Sequence, residues 1–408
     1  MRRIAWLLLL IFAFTIPWEY SLDFGEPLGN VARVAGILAL LAAIPAVFQT
    51  GRVRVPGPFL WLTVALFLWF CLSSFWSIDS AATVETVRAY FQDMMVVWLL
   101  WEIAESPADL RDLMGATVAG AWVLVILTFA AFRSPEVYVA DQIRFAAYGQ
   151  DPNDVARYLD LAFPLAALLF ECDRRWIVRL MALGFLPAGL FAVLLTASRE
   201  GFVAALIAAA GSATLLLRGH GRRAIAAVLA LPVFVTALWL AVPSGVFDRL
   251  ATIPQQLQGG DLNQRLNIWT AGWKAFAHAP VVGAGAGSFV TAARTAPMDT
   301  AHNTALSIAV SGGLCALFLV TILAFLAVRS VLRTTGALRI ALVTSLAILA
   351  VTSLVATVEE SRTTWVLLAT IAFAGRLAEE NPHALLACFS VQPPRSVHGP
   401  LFAAQLDS

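Results

Sequence analysis

Three runs of this chain leave little choice of fold. No Asp, Glu, Lys or Arg interrupts Leu113–Phe132, Leu180–Ser198 or Asn303–Val328. An apolar stretch of about 18 residues or more is long enough, as a helix, to cross the hydrocarbon core of a bilayer. Composition agrees: 60% of the 408 residues are hydrophobic and 13% charged, whereas a soluble domain carries about 25% charge. With no water to satisfy backbone groups in the bilayer core, spans of this kind are helices. The chain reads as an all-α polytopic membrane protein. About twelve spans are expected, centred near Leu10, Leu40, Leu66, Val96, Leu124, Phe163, Phe191, Ala208, Leu231, Leu317, Ala347 and Leu368. The opening MRRIAWLLLLIFAFTIPWEY has the charged and apolar regions of a signal peptide. It lacks a small-x-small cleavage site, so it is read as an uncleaved first span.

Orientation follows from the arginines. With the N-terminus in the cytoplasm, 16 of the 27 Lys and Arg residues fall inside, Arg52 and Arg395 among them, and the connections RGHGRR and RSVLRTTGALR agree best with the positive-inside rule. Both termini are then cytoplasmic. One membrane domain over residues 1–378 is expected, followed by a cytoplasmic tail over 379–408. A long outer loop, roughly residues 243–302, separates the ninth and tenth spans, and a shorter outer connection runs roughly from Arg133 to Pro152. In the long loop Ile268, Trp269, Gly272, Trp273 and Phe276 recur at helical spacing. They predict an amphipathic helix, either lying at the membrane surface or capping the bundle. The net charge of +1 gives no sign of a nucleic-acid partner. Cys71, Cys172, Cys315 and Cys388 are scattered, without the spacing of a disulfide framework or metal site.

The informative residues are the polar ones on the outer side. Arg199 stands in LLTASREGFVAAL, at a turn too tight to be a free loop. A charge near membrane depth pairs or lines a functional cavity; Glu200 is one available partner, and an anionic ligand is the other. Arg265 opens the tryptophan helix, and His302 stands at the head of the tenth span. A guanidinium suits bidentate contact with phosphate, so outward arginines beside a greasy bundle point to a lipid-linked phosphate or diphosphate. His302 is either a surface or capping residue or a general base, because imidazole titrates near neutrality. Asn303 either caps the helix or orients a sugar hydroxyl. In YGQDPNDVARYLDLAFP, Asp151 fits an N-cap, Pro152 the first helical position and Asp154 the helix dipole, a stronger account than a metal site. Arg157, one turn on, has Asp154 or Asp160 within reach of neutralising it. The run GAGAGSF is preceded by no predicted strand and is read as a tight, closely packed turn.

TASREG, QRLNIWTAGWKAFAHAPVVGAGAGSF and AHNTALSIAVSGGL, in that order, resemble the O-antigen ligase and O-antigen polymerase family of bacterial membrane glycosyltransferases. The matching positions are Arg199 in its Ser-Arg turn, Arg265 with Trp269, Pro280, Gly283, Gly285 and Phe289, then His302 with Asn303. Pro152, Asn153 and Pro164 resemble the family's Pro-Asn helix start. The resemblance covers roughly residues 150–314. It implies a GT-C-like, metal-independent transferase without a cofactor, in the bacterial inner membrane, that uses a glycan on undecaprenyl diphosphate as donor at the periplasmic face. It further implies that Arg199 and Arg265 bind the diphosphate and that His302 contacts or deprotonates the acceptor hydroxyl, with inversion at the anomeric carbon. The acceptor is lipid A–core for a ligase, the favoured reading, or a second lipid-linked glycan for a polymerase. Tyr148, Arg144, Arg157 and the turn EESRTTW are candidates for shaping its pocket. A flippase or other transporter is the competing class, and convergence of Arg199, Arg265 and His302 in one outward pocket would favour the transferase.

Overall fold

The structure, a computed structural model, describes residues 1–25, 28–51, 53–134, 144–218, 221–260, 264–296 and 299–390. Arg52, Arg395, part of the connection after Arg133 and most of the expected tail lie outside the described residues. Every named element is a helix; an isolated antiparallel bridge joins Asp23 to Asn30. In chain order these are α1 (Arg2–Thr15), a short 3-10 turn (Ile16–Ser21), α2 (Val31–Thr50), α3 (Pro58–Ser73), α4 (Ser80–Ile103), α5 (Pro107–Arg133) and α6 (Pro152–Cys172). There follow α7 (Trp176–Leu195), α8 (Arg199–Leu217), α9 (Gly221–Ala241), α10 (Ser244–Ala251), α11 (Ile253–Gln258), α12 (Arg265–His278) and α13 (Phe289–Ala293). The chain then completes the bundle with α14 (Thr304–Arg333), α15 (Gly336–Ser353), α16 (Arg362–Glu380) and α17 (Pro382–Phe389).

All twelve expected centres fall inside helices. Among the described residues, eight of those helices, α1 with its following turn, α2, α5, α7, α8, α9, α14 and α15, are long and apolar enough to cross a membrane. The protein is therefore a multi-pass membrane protein. The other four centres lie in α3, which is shorter, and in α4, α6 and α16, which carry more ionisable side chains. Burial explains the exceptions. Nearly all of α6 is buried, Arg157 and Asp160 included, and α16 is buried from Thr364 to Leu377 except at Leu368. A helix shielded by its neighbours is not held to the hydropathy of one that faces lipid.

Two apolar cores share the bundle. One is built mainly from α5–α8, α15 and α16 and the other mainly from α1–α4, α14 and α16, with α5, α14 and α16 contributing to both. Leu385 and Phe389 of α17 are buried in the first, and the boundary expected at residue 378 falls within α16. α9 contributes no buried residue.

Successive helices run antiparallel through short connections, so the turns after α1, α3, α7 and α15 gather at one end with α10–α13. That loop-rich end carries the site. Its cap is α12, which buries Ile268, Gly272 and Ala275 against Phe289, Leu306 and Val310. The bundle-cap reading of the tryptophan helix is the one this packing matches, although Trp273 is 59% exposed.

Beneath the cap α14 is broken at Gly313, whose φ is +65°. A break frees backbone groups that lipid cannot satisfy. The glycine run after α12 supplies their partners: Ala284 N donates to the Val310 carbonyl at 2.8 Å, Gly285 N to Ser311 at 3.0 Å, and Leu314 N to Pro280 at 2.9 Å. Gly283 sits so close to the Ser311–Gly313 backbone that a Cβ there would come within 2.5 Å of it. The expected tight turn is thus a backbone splint for the broken helix.

Candidate active site

Two of the quoted motifs are fastened to each other by one side chain. Asp151 caps α6 by accepting from Asn153 N, with Pro152 at the first helical position. Asn153 then faces the turn between α7 and α8: its Oδ1 accepts from Ser198 Oγ at 2.8 Å and from Arg144 Nη2 at 2.7 Å. Ser198 in turn caps α8 by accepting from Gly201 N. Gly201 has no room for a side chain, since a Cβ there would come 2.3 Å from that of Ala156 on α6. Thr-Ala-Ser-Arg-Glu-Gly is therefore a docking turn that seats the start of α8 on the start of α6.

This seating delivers Glu200, not Arg199, into a cavity of about 580 Å³ at the loop-rich end. Glu200 pairs with Arg265 at 3.1 Å, the side chains 7% and 17% exposed. The adjacent-residue pairing with Arg199 is corrected by this geometry, because neighbours at a helix start point in different directions around the axis. Arg265 opens α12. One turn later Trp269 Nε1 donates to the Ala301 carbonyl at 3.0 Å, which explains the R-x-x-x-W spacing: one turn of helix is tied to α8 and to the residue before His302.

His302 lines the same cavity, as do Arg157 and the Asp151, Asp154 and Glu360 carboxylates. Its backbone is left-handed, with φ +45°. Asn303 next to it is a helix cap, Oδ1 accepting from Leu306 N at 2.8 Å, while its Nδ2 donates to the Leu354 carbonyl at 3.1 Å. Burial, and then the positive charge of Arg265, hold the His302 imidazole below its ordinary 6.5, so at neutral pH it is uncharged and able to accept a proton. Arg157 pairs with Asp154 at 2.7 Å, and its other terminal nitrogen, Nη1, is buried without a hydrogen-bond partner among the described residues.

Of the residues singled out beforehand, Arg265, His302 and Arg157 therefore meet in one cavity. Asn303, Arg144 and Arg199 do not line it, and Tyr148 is 78% exposed outside it. Glu360 and Ser361 of the EESRTTW turn are in the lining. Residues 183–321 match the family model described as O-antigen ligase. That stretch is about a third of the chain. Arg199, Glu200, Arg265, His302 and Asn303 all lie within it, while the elements holding Arg144, Asn153 and Arg157 precede it and pack against it. No curated protein matches the chain.

A second cationic group stands behind the turn that begins α8. Arg144 Nε donates to the Thr196 carbonyl and Arg249 Nε to that of Ala197, each at 3.0 Å. The two are close enough to each other and to Arg199 for mutual repulsion. Burial first, and then Arg144 and Arg199, bring the Arg249 guanidinium down to about 10. Arg249 carries no sequence signal: it lies in α10, outside the motifs, beside Asp248.

Proposed function

We propose that the protein transfers a glycan from undecaprenyl diphosphate to a sugar hydroxyl at the outer face of the bacterial inner membrane, most simply ligation to the lipid A–core acceptor of lipopolysaccharide. The observation that carries this reading is the meeting of the half-buried His302 imidazole with Arg265 in one cavity, both within the stretch that matches the O-antigen ligase family model. His302 takes the proton of the acceptor hydroxyl. That oxygen attacks the anomeric carbon, and the carbon–oxygen bond to the diphosphate breaks from the opposite face, which inverts the centre. Arg265 at the cavity wall receives the charge developing on the leaving diphosphate, while Arg199, Arg144 and Arg249, grouped at the turn outside the lining, add to the local positive potential. Cations fixed before the reaction stabilise such charge without reorganising, and in this reading they do so without a metal.

The purified full chain, given carrier-linked glycan with and without core lipopolysaccharide in the presence of chelator, tests the reading by product size. An acceptor band shifted only when core is supplied supports ligation. A ladder growing from donor alone assigns the same residues to polymerisation. Transport without any new glycosidic bond overturns both.

A further inference from the structure

A second cavity, of about 390 Å³, opens beside the first. Its walls are apolar, from Phe12 of α1, Ile37 and Leu40 of α2, and Phe91 and Val96 of α4, and Ile37 and Phe91 are half-exposed, so its mouth faces sideways. Three arginines stand at its loop-rich end: Arg33 in the first turn of α2, Arg88 in α4 and Arg362 at the start of α16. Arg362 is ion-paired with Glu19, which also faces Arg33. Arg88 is exposed, about 12 Å along α4 from its first residue, between the exposed apolar side chains of Val84 and Phe91. No carboxylate pairs with it among the described residues. A permanent charge on an apolar, membrane-facing surface is costly unless a counter-charge reaches it. An apolar slot crowned by cations has the complement of a lipid with a phosphate headgroup.

The position of the slot narrows the choice of lipid. Arg362, which lines the slot, and its ion-pair partner Glu19 are respectively preceded and followed by residues lining the first cavity, Ser361 and Tyr20. A headgroup held there abuts that cavity on the side of α4 and α16, across from the Arg265 side where the donor diphosphate is proposed to sit. We propose that this slot holds the acceptor of the transfer reaction, a phosphate-bearing glycolipid with an acyl chain between α2 and α4 and its phosphate on Arg88 and Arg33, an assignment that rests on the transferase reading above.

Direct binding separates the two. Wild type, Arg88→Gln and Ile37→Trp are placed as full chains in phosphatidylcholine nanodiscs, and the affinity of core-bearing lipid A is measured with and without its phosphates, alongside the KM values for donor and acceptor. Arg88→Gln should weaken binding of the phosphorylated lipid about tenfold and raise the acceptor KM in step, with the donor KM unmoved. Ile37→Trp should weaken it by filling the slot with the charges intact, and wild type should bind the dephosphorylated lipid as weakly as Arg88→Gln binds the phosphorylated form. Unchanged affinity in both variants overturns the assignment, as does equal competition by phosphatidylglycerol, which would make the slot a general anionic-lipid site. Binding losses as expected in a protein that makes no glycosidic bond would uphold the lipid slot and remove the transferase reading.

Discussion

Three residues that place the chemistry have left-handed backbones: Ala197 before the Ser-Arg turn, Gln264 before Arg265, and His302 itself, at φ +47°, +64° and +45°. Such conformations cost about 1–2 kcal/mol for a residue with a Cβ, and they cluster at functional sites. They set direction abruptly, which lets a side chain leave a helix start toward the cavity. His302→Asn keeps a residue tolerant of that backbone and removes the base, so transfer should fall by on the order of 10²-fold or more while the thermal midpoint in detergent holds. In wild type the rate should stay level on acidification until below pH 6.5, because burial and Arg265 favour the neutral imidazole and the base is lost only as pH falls through that lowered value. A kcat/KM profile whose acid limb lies above 6.5 would assign the proton transfer to another group. Glu200→Ala leaves Arg265 without its buried partner, a change that costs about 3–5 kcal/mol in such pairs; thermal unfolding would register it. Little of this pairing was legible in the chain, since Glu200 and Arg265 are 65 positions apart and local spacing offered Arg199 instead.

At the level of elements, local patterns served well wherever the cause was local. The Asp151–Pro152 start of α6, the Asn303 cap and the helical face of α12 are written within one or two turns of chain, and each is found. Span number was harder to read because hydropathy reports exposure to lipid, and α6 and α16 hide their charges inside protein. The role of the glycine run was also out of reach: it depends on the break in α14, which lies some thirty residues further on in a stretch that reads as continuous helix. Gly313→Ala tests the splint. A Cβ there would meet the Val281 carbonyl at 2.2 Å, in a backbone that already disfavours it, so thermal stability should drop by more than the conformational cost of about 1–2 kcal/mol alone. A midpoint equal to wild type would show the break to be soft.

Taken whole, the molecule is a bundle whose chemistry is concentrated at one end. The antiparallel succession of helices puts the connections after α3 and before α14 on one side, and those after α4 and α14 on the other. Single cysteines at Ser77 and Thr300 should therefore react with an impermeant maleimide from one side of sealed vesicles, and cysteines at Ser106 and Thr335 only from the other; mixed accessibility within either pair would contradict the alternation. The residue-by-residue arrangement at the active end depends on α12 being brought over α14, a contact that no window of sequence encodes. Between Arg223, which pairs with Glu171 of α6, and Leu238, which packs toward α10, the middle of α9 has no side chain buried in the bundle. Natural selection has little to hold on to there beyond length and greasiness. The sequence of that middle stretch should drift faster than that of any other span, and a randomised library of apolar residues across residues 224–237 should yield mostly active clones, which makes it the place to engineer a fluorophore or a tether.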